Sequence, residues 1–313
     1  MVATSEEVKP GKIISRRYFD REIVIYRTET GEVSVIDAYC PHMGAHLGKM
    51  GSLDKGIMRC GFHGFQYDGA GSCVATEYDS PPPRAARLRR WDVREQSQVV
   101  MVWFDSEGRP ADWEIPLFED LDWSRPRWKT YRIRTHPQET TENSVDFGHF
   151  TKLHGFVDGH ITEPLRTEGP ILTSSYLAMR PYGLPGKTLI KLPVAYDVTA
   201  VGLGYSQVEV QIKTLGLNFL VWVLSIPVDD EYIDLRLGLA AEKKLGPLVP
   251  LIRRIGLGIL SGEVDQDLNV WEYKSFVDPP AVAKGDGPIV AYRRWAKQFY
   301  PKASSSKSIP IED

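Results

Sequence analysis

Two short stretches of the sequence decide the fold, Cys40-Pro-His-Met-Gly-Ala-His-Leu-Gly48 and Cys60-Gly-Phe-His-Gly-Phe-Gln-Tyr-Asp68. Each offers one cysteine and one histidine, first as C-x-H and then as C-x-x-H, and seventeen residues separate His42 from Cys60. Two thiolates and two imidazoles can hold a structural zinc ion or a [2Fe–2S] cluster in which histidines replace two cysteines. Zinc fingers usually carry the cysteines as one pair and the histidines as another. Here each loop carries one of each, which favours the cluster.

Glycines accompany both loops, at Gly44, Gly48, Gly61 and Gly64. A glycine lets a backbone amide come close to a bridging sulfur, and such hydrogen bonds help to set the potential of a cluster. The remaining cysteine, Cys73, is predicted to be a small buried residue rather than a ligand. Because three cysteines in 313 residues form no disulfide framework, the sequence indicates a reducing, cytoplasmic compartment.

The composition is that of a globular protein, with 42% hydrophobic residues, 25% charged residues and a net charge of −3. This balance gives no reason to expect binding to nucleic acid or to an anionic membrane surface. The longest purely apolar runs, such as Phe219–Leu224, have six residues and are far shorter than the roughly 20 residues of a membrane span, so no span is expected. The start of the chain holds no apolar signal core, so secretion is not expected.

The pattern of apolar residues predicts short strands first and a larger sheet later. Glu22–Arg27 and Val33–Ala38 are predicted to form a hairpin. Alternation at period two predicts half-buried strands over 208–213 and 233–239, and Phe219–Ile226 is typical of a strand buried on both faces. Helices are predicted at Glu139–Leu153, Val249–Phe276 and Ile289–Phe299.

These elements predict an α+β protein with two domains. An all-β domain covers residues 1–108, and a Gly- and Pro-containing linker occupies Asp105–Pro116. An antiparallel sheet with a long helix covers residues 109–313, and its polar tail, Ala303–Asp313, is predicted to be disordered.

A second group of chemically active residues begins at Asp146. Asp146 and His149 are three residues apart, which places them on one face of the predicted helix. His154 follows five residues after His149, about 140° around an ideal helix. Both histidines reach one metal only if the helix ends between them, and Gly155 is a suitable stop signal. Two histidines and one carboxylate form the facial triad of non-haem Fe(II) oxygenases.

The carboxylate of that triad is predicted to come from the long helix. Asp267 lies on its apolar stripe of Leu260, Val264, Val270 and Trp271, whereas Asp265 lies about 160° away. A carboxylate that points into an apolar interior is costly unless it is paired or binds a metal, so Asp267 is the predicted ligand. The other histidines, His46, His136 and His160, are predicted to be structural or surface residues.

The motifs together resemble the Rieske non-haem iron oxygenases. The loops that begin at Cys40 and Cys60 resemble the two cluster loops of that family, with Gly61 where Pro is usual and Phe65 where Trp is common. The string Glu142-Asn-Ser-Val-Asp-Phe-Gly-His-Phe150 is nearer to 3-ketosteroid 9α-hydroxylase oxygenases and cholesterol 7-desaturases, and Asp267-Leu-Asn-Val-Trp271 matches their D-x-x-[IV]-W string. Members usually have a further strand before the point at which this sequence starts, so a truncated or mis-started N-terminus is one expectation for this chain.

The resemblance implies a complete set of sites. Cys40, His42, Cys60 and His63 would hold a Rieske [2Fe–2S] cluster in the N-terminal domain, and His149, His154 and Asp267 would hold a mononuclear Fe(II) in a helix-grip catalytic domain. Catalytic roles are implied for Asn143 and Asp146. In the family's head-to-tail trimers, Asp146 would bridge to His63 of the partner subunit.

The resemblance also implies the reaction. The chain would be the terminal oxygenase component of a multi-component system, using O₂ to hydroxylate, desaturate or demethylate an apolar fused-ring substrate, a steroid or sterol. Because the chain has no G-x-G-x-x-G fingerprint, a separate NAD(P)H-dependent reductase or a ferredoxin would supply the electrons. Two alternatives stay open: the α subunit of an aromatic-ring-hydroxylating dioxygenase, and a Rieske electron-transfer protein without oxygenase activity.

Overall fold

The computed structural model describes residues 1–116, 122–184 and 187–301. Its first part contains three antiparallel sheets, with strand orders β1-β10-β9, β2-β3-β4 and β5-β6-β7-β8, and a single helical turn, α1 (Leu47–Met50). The strands are β1 (Ala3–Thr4), β2 (Ile13–Tyr18), β3 (Arg21–Arg27), β4 (Val33–Asp37), β5 (Gly51–Asp54), β6 (Ile57–Cys60), β7 (Gln66–Tyr67), β8 (Cys73–Ala75), β9 (Val93–Gln96) and β10 (Val99–Val102). The predicted hairpin is confirmed, because β3 pairs with β4 in antiparallel register.

The second part is built on one antiparallel sheet of seven strands in the order β11-β17-β16-β15-β14-β13-β12. The strands are β11 (Arg127–Arg134), β12 (Val157–Glu168), β13 (Ile171–Leu184), β14 (Lys187–Val201), β15 (Tyr205–Ile212), β16 (Leu217–Pro227) and β17 (Tyr232–Ala241). After β11 the chain crosses to the far edge of the sheet and then returns strand by strand, so that β17 ends beside β11. The predicted strands over 208–213, 219–226 and 233–239 are therefore present, although residue 213 lies in a 3₁₀ turn.

Helices cover one face of this sheet. They are α2 (Pro137–Glu142), α3 (Phe147–Lys152), α4 (Val249–Tyr273) and α5 (Ile289–Ala296), with 3₁₀ turns at Lys213–Leu215, Lys243–Leu248 and Lys297–Phe299. The long helix α4 packs on β11 and β17 through Leu257, Val264 and Trp271. The sheet with its long helix is the predicted α+β arrangement, and α4 and α5 lie where helices were predicted.

The other face of the sheet packs against the N-terminal sheets. Trp222 and Leu224 of β16 share one core cluster with Ile23 of β3 and Val100 of β10. The prediction that residues 233–239 are only half-buried is wrong for this reason, since β17 is buried on both faces. The alternating pattern of β17 did not indicate that its polar side chains are buried as well.

Polar side chains of β17 connect the two parts of the chain. The Tyr18 hydroxyl donates to Asp234 Oδ2 at 3.1 Å, and Arg236 Nη1 donates to a carboxylate oxygen of Glu7 at 2.9 Å. Asp234 and Arg236 are only 8% and 6% exposed. The hydrogen bonds to Tyr18 and Glu7 compensate the free-energy cost of removing the charges of Asp234 and Arg236 from water.

The prediction of a single helix over Glu139–Leu153 is also wrong. The chain forms two short helices, because Asp146 caps the second one and accepts a hydrogen bond from His149 N at 3.2 Å. Asp146 therefore precedes the helix instead of sharing a helical face with His149. The predicted linker at 105–116 forms no helix or strand, and the domain boundary at residue 108 stays a prediction. The tail predicted to be disordered, 303–313, lies outside the described residues.

Candidate active site

The two loops with cysteine and histidine have the same backbone design. Cys40 N donates to Ala45 O at 2.9 Å and Gly44 N to Cys40 O at 2.8 Å. The second loop repeats both bonds, from the backbone N of Cys60 to Phe65 O at 2.8 Å and from Gly64 N to Cys60 O at 2.9 Å. Gly44 and Gly64 have φ angles of +74° and +68°, a left-handed conformation that favours glycine. The two tight loops therefore present their side chains in matching positions.

The four predicted cluster ligands meet at the tip of these loops. Cys40 and Cys60 are each 2% exposed, whereas His42 and His63 are half-buried with ring centroids 4.7 Å apart. The His42 ring stacks on Phe65 at 4.1 Å. The buried sulfurs and the outer imidazoles give the site one inner and one outer side, as a [2Fe–2S] cluster with Cys₂His₂ ligation requires.

The surroundings of the sulfurs are arranged for negative charge. Burial raises the pKa of the Cys60 thiol, and backbone amides of Phe62 and His63 donate hydrogen bonds that oppose this rise. Burial also raises the pKa of Tyr67, whose hydroxyl lies 3.0 Å from Cys40 Sγ. Tyr67 thus stays protonated and donates to the sulfur. These donors fit thiolates that are bound to iron. All three cysteines are free, and Cys73 is half-buried, with its Sγ 3.3 Å from Ala75 O.

His149, His154 and Asp267 also come together. One ligand atom from each lies within 4.8 Å of the other two, and His154 Nε2 is 3.3 Å from Asp267 Oδ1. As predicted, the helix ends between the two histidines: α3 stops at Lys152 and Gly155 has a φ angle of +70°. Two imidazoles and one carboxylate on three separate segments fit a non-haem iron.

The outer nitrogens of both histidines are occupied. His149 Nδ1 lies 2.6 Å from the Asp146 carbonyl oxygen, and the Asp146 carboxylate is 3.7 Å from the same nitrogen. His154 Nδ1 lies 3.3 Å from Gln266 Oε1. Such contacts fix ring orientation and leave each Nε2 free to bind a metal. Gln266 carried no recognisable signal in the sequence.

Asp146 has a further electrostatic feature. Burial disfavours its charged form, but hydrogen bonds from His149 and the nearby imidazole hold the pKa of the carboxyl below its ordinary value. Its side chain is still 33% exposed, and it borders a cleft of about 600 Å³ that is also lined by Asp286. A charged group on an open cleft is accessible to another molecule. Asn143 ends α2, in the turn between α2 and α3.

The two aspartates of α4 face opposite ways, as predicted. Asp267 is 6% exposed, whereas Asp265 is exposed and lies 3.6 Å from Lys129 Nζ. The apolar stripe itself differs from the prediction at Val270, which is 45% exposed. Leu257, which precedes the predicted stripe, joins Val264 and Trp271 of that stripe in the interior contacts of α4.

An aromatic wall starts one residue from His149. The Phe150 ring lies 5.1 Å from that of Tyr176 on β13, which stacks at 4.8 Å on Tyr196 of β14. Burial raises the pKa of both tyrosines, so their hydroxyls stay neutral. The wall is therefore an uncharged surface for an apolar molecule.

One ion pair interrupts this wall. Arg180 on β13 pairs with Glu263, which lies one helical turn before Asp267 on α4. The Arg180 guanidinium lies over the Phe156 ring at 5.4 Å. No local signal in the sequence indicates this pair, because its two members are 83 residues apart.

The remaining histidines are structural or exposed, as predicted. His46 caps α1 and lies 2.7 Å from a carboxylate oxygen of Glu22. His136 caps α2 and stacks on Tyr300, and His160 is exposed on β12.

Comparisons with known proteins agree with this geometry. The sequence profile of the Rieske [2Fe-2S] domain matches residues 1–94, and that of the 3-ketosteroid 9alpha-hydroxylase C-terminal domain matches residues 102–300. The chain belongs to the 3-ketosteroid 9alpha-hydroxylase family of Rieske oxygenases. Members of the Rieske oxygenase family hold a [2Fe–2S] cluster and a mononuclear iron, use O₂, and receive electrons from separate reductase or ferredoxin partners. Both groups of residues described above fit these cofactors.

Curated relatives resemble this chain in sequence, and a solved structure resembles it in fold. Cholesterol 7-desaturase nvd 1 of Ciona intestinalis is 28% identical, covering 99% of this chain and 69% of that protein. The 3-ketosteroid-9-alpha-monooxygenase oxygenase component of Rhodococcus rhodochrous is 26% identical, covering 96% and 82%. The structure of NdmA of Pseudomonas putida CBB5 with caffeine is 20% identical, with a TM-score of 0.76 over 95% of this chain and 88% of that one, and shows the same fold.

Proposed function

We propose that this chain is the terminal oxygenase component that oxidises a steroid or sterol. One observation carries the proposal: His149, His154 and Asp267 converge beside an apolar aromatic wall, in a chain that also carries the four ligands of a Rieske cluster. The names of the relatives, a 3-ketosteroid monooxygenase and a cholesterol desaturase, support a fused-ring lipid as substrate.

The proposed metal ligands are Cys40, His42, Cys60 and His63 for the cluster, and His149, His154 and Asp267 for the mononuclear iron. When bound, the cluster supplies electrons one at a time and the iron supplies O₂ activation.

The residues around the triad orient its ligands and the substrate. The Asp146 carbonyl accepts from His149 Nδ1 and so directs Nε2 towards the interior. Phe150 and Tyr176 exclude water from the apolar side of the site, which strengthens the electrostatic interactions of the triad. Hydroxylation, desaturation and demethylation use the same ligand set.

The proposed assembly is a homotrimer in which Asp146 accepts a hydrogen bond from His63 of the partner subunit. Two observations support it. The Asp146 carboxylate is accessible at a cleft, and the cluster tip exposes apolar side chains, with Met43 66% and Phe62 55% exposed. An apolar tip with an imidazole donor is complementary to a cleft that presents a carboxylate. A cytoplasmic location without a membrane-spanning segment belongs to the same proposal.

Product analysis tests the proposed function. The purified protein, with its metals and a surrogate reductase, is incubated with a panel of 3-ketosteroids, sterols and planar aromatic hydrocarbons, and the products are identified by mass spectrometry. We expect a gain of one oxygen atom or a loss of two hydrogen atoms on a steroid or sterol, and no product with His149→Ala. Turnover of the aromatic hydrocarbons alone, or only after a second subunit is added, would contradict the proposal.

A further inference from the structure

The first half of α4 is apolar on the side that faces away from the protein. The segment Lys243–Tyr273 contains an 18-residue stretch that is long and apolar enough to cross a membrane by length and composition, but only 17% of that stretch is buried. A core helix of such composition would be mostly buried. This segment is instead attached to the sheet along one side and open on the other.

The exposed apolar residues form a continuous row, here called the α4 stripe: Leu248, Leu251, Ile255 and Ile259, which are 56%, 57%, 53% and 41% exposed. The row lies opposite the attached side, since Ile255 is about 200° of helical rotation from the buried Leu257. Attachment is close on that inner side, where a Cβ added to Gly256 would lie 3.2 Å from Leu239. The helix therefore cannot rotate to bury the α4 stripe.

The charges around the α4 stripe are mostly basic, and the nearest carboxylate on the N-terminal side, Glu242, pairs with Lys244. Residues 243–262 contain Lys243, Lys244, Arg253 and Arg254 and no acidic residue, although the whole chain has a net charge of −3. The exposed Arg125 adds a fifth cation, because its carbonyl oxygen accepts from Arg253. An apolar row between basic residues is the pattern of helices that lie in the interface of anionic membranes.

We propose that the α4 stripe docks on the surface of an anionic lipid bilayer. The apolar side chains enter the boundary between headgroups and acyl chains, and the flanking lysines and arginines contact lipid phosphates. The helix lies parallel to the surface and does not span it, because its inner side stays on the sheet.

The position of the α4 stripe gives this contact a purpose. The α4 stripe ends at Ile259, eight residues or about 12 Å of helix before Asp267, and it is exposed whereas Asp267 is buried, so docking leaves the triad and the cleft beside Asp146 uncovered. A steroid or sterol partitions into bilayers, and docking would bring the site to its source. Only this purpose rests on the proposed function; the docking itself depends on the α4 stripe and its charges.

Vesicle flotation with the metal-loaded protein tests the proposal. The vesicles are phosphatidylcholine alone, or equal parts of phosphatidylcholine and phosphatidylglycerol. The variant is Leu251→Gln/Ile255→Gln, and the control is Val290→Gln, which changes a side chain that is 47% exposed on α5. Retention of the cluster's visible absorption shows that each variant is folded, and light scattering reports its oligomeric state.

We expect the wild type to float with the anionic vesicles, less so at high salt, and at least ten times more weakly with phosphatidylcholine alone. The double variant should lose at least tenfold in binding, and Val290→Gln should behave as the wild type. Equal flotation of the double variant, or no flotation of the wild type, overturns the proposal. A changed oligomeric state in the double variant overturns it too, because the α4 stripe would then join copies of the chain. Flotation without steroid turnover would leave the docking standing and refute the proposed function alone.

Discussion

Tyr67→Phe should lower the reduction potential of the cluster. The Tyr67 hydroxyl is the donor that lies 3.0 Å from Cys40 Sγ, and the side chain is 0% exposed. Reduction adds negative charge to the ligand sulfurs, so this hydrogen bond is stronger in the reduced state. Phenylalanine keeps the ring and removes only the donor. The oxidised state is then favoured relative to the wild type.

The size of the change follows from the strength of the bond. A buried hydrogen bond to a charged acceptor contributes about 1.5–3 kcal/mol, and its gain on reduction is a part of that, about 1–2 kcal/mol. For a one-electron couple this corresponds to a potential lower by about 40–80 mV. A hydrogen bond is electrostatically stronger in the low-dielectric interior of a protein than in water. Tyr67 is fully buried and its hydroxyl lies 3.0 Å from Cys40 Sγ, so its bond belongs to the stronger ones.

The assay is a redox titration of the purified protein, followed by visible circular dichroism and by the EPR signal of the reduced cluster. Tyr26→Phe is the matched control, because Tyr26 is 1% exposed in the same core cluster and its hydroxyl bonds to Ser34 instead of a sulfur. Tyr26→Phe should leave the potential unchanged. Equal potentials for the two variants would refute the role of the Tyr67 hydroxyl.

Three further predictions concern the iron site and its support. Asp267→Ala should lose the mononuclear iron and keep the cluster, whereas Asp265→Ala should keep both, because only Asp267 is buried beside His154. Iron analysis with visible spectra measures this, and loss of the mononuclear iron in Asp265→Ala but not in Asp267→Ala would contradict the assignment. Asp146→Asn should keep both metal centres but slow reoxidation of the cluster by substrate and O₂ about 10–100-fold in stopped flow; a wild-type rate at full iron content would remove the proposed bridge between subunits. In the wild type a carboxylate oxygen of Glu142 lies 2.7 Å from Arg293 Nε. Glu142→Gln removes this carboxylate and leaves the buried guanidinium without it, which should lower the free energy of unfolding by about 3–5 kcal/mol. Denaturant titration measures this loss, the double variant with Arg293→Met should recover part of it, and a loss near zero would show that the pair is not held in the interior.

The cluster loops could be anticipated because everything that shapes them is local. Each loop closes through two backbone hydrogen bonds over six residues, and its glycine takes a positive φ angle. The ligand spacing in the sequence therefore maps directly onto the structure. The stop of α3 before His154 was equally local, since Gly155 supplies it.

The break between α2 and α3 shows how a local signal can be misread. Asp146 was interpreted as a residue on a helical face, three positions before His149. The same spacing is that of an N-cap, whose carboxylate accepts from the third amide of the helix, and this is what the structure has. The hydroxyls of Thr140 and Thr141 also bond back to Pro137 O, the first carbonyl of α2.

Contacts between distant segments could not be anticipated in this way. Tyr18 and Asp234 are 216 residues apart, and Arg180 and Glu263 are 83 apart. Period-two alternation reports that every second residue of β17 is apolar, but it cannot show that the polar ones meet partners from another sheet. The second face of β17 was therefore assigned to solvent.

The orientation of α4 was predicted from its apolar stripe, and the burial of Asp267 agrees with it. Its two sides are both apolar in the first half of the helix, so a hydrophobic stripe can be drawn through either, and the stripe that was drawn included the exposed Val270. A buried carboxylate is far more restrictive, because it needs a metal or a partner. The apolar residues Val264 and Trp271 identified the inner side correctly, and Asp267 with it, whereas Val270 was assigned to the wrong side. Because the side that carries Asp267 faces the interior, the α4 stripe lies outward and has no role in packing.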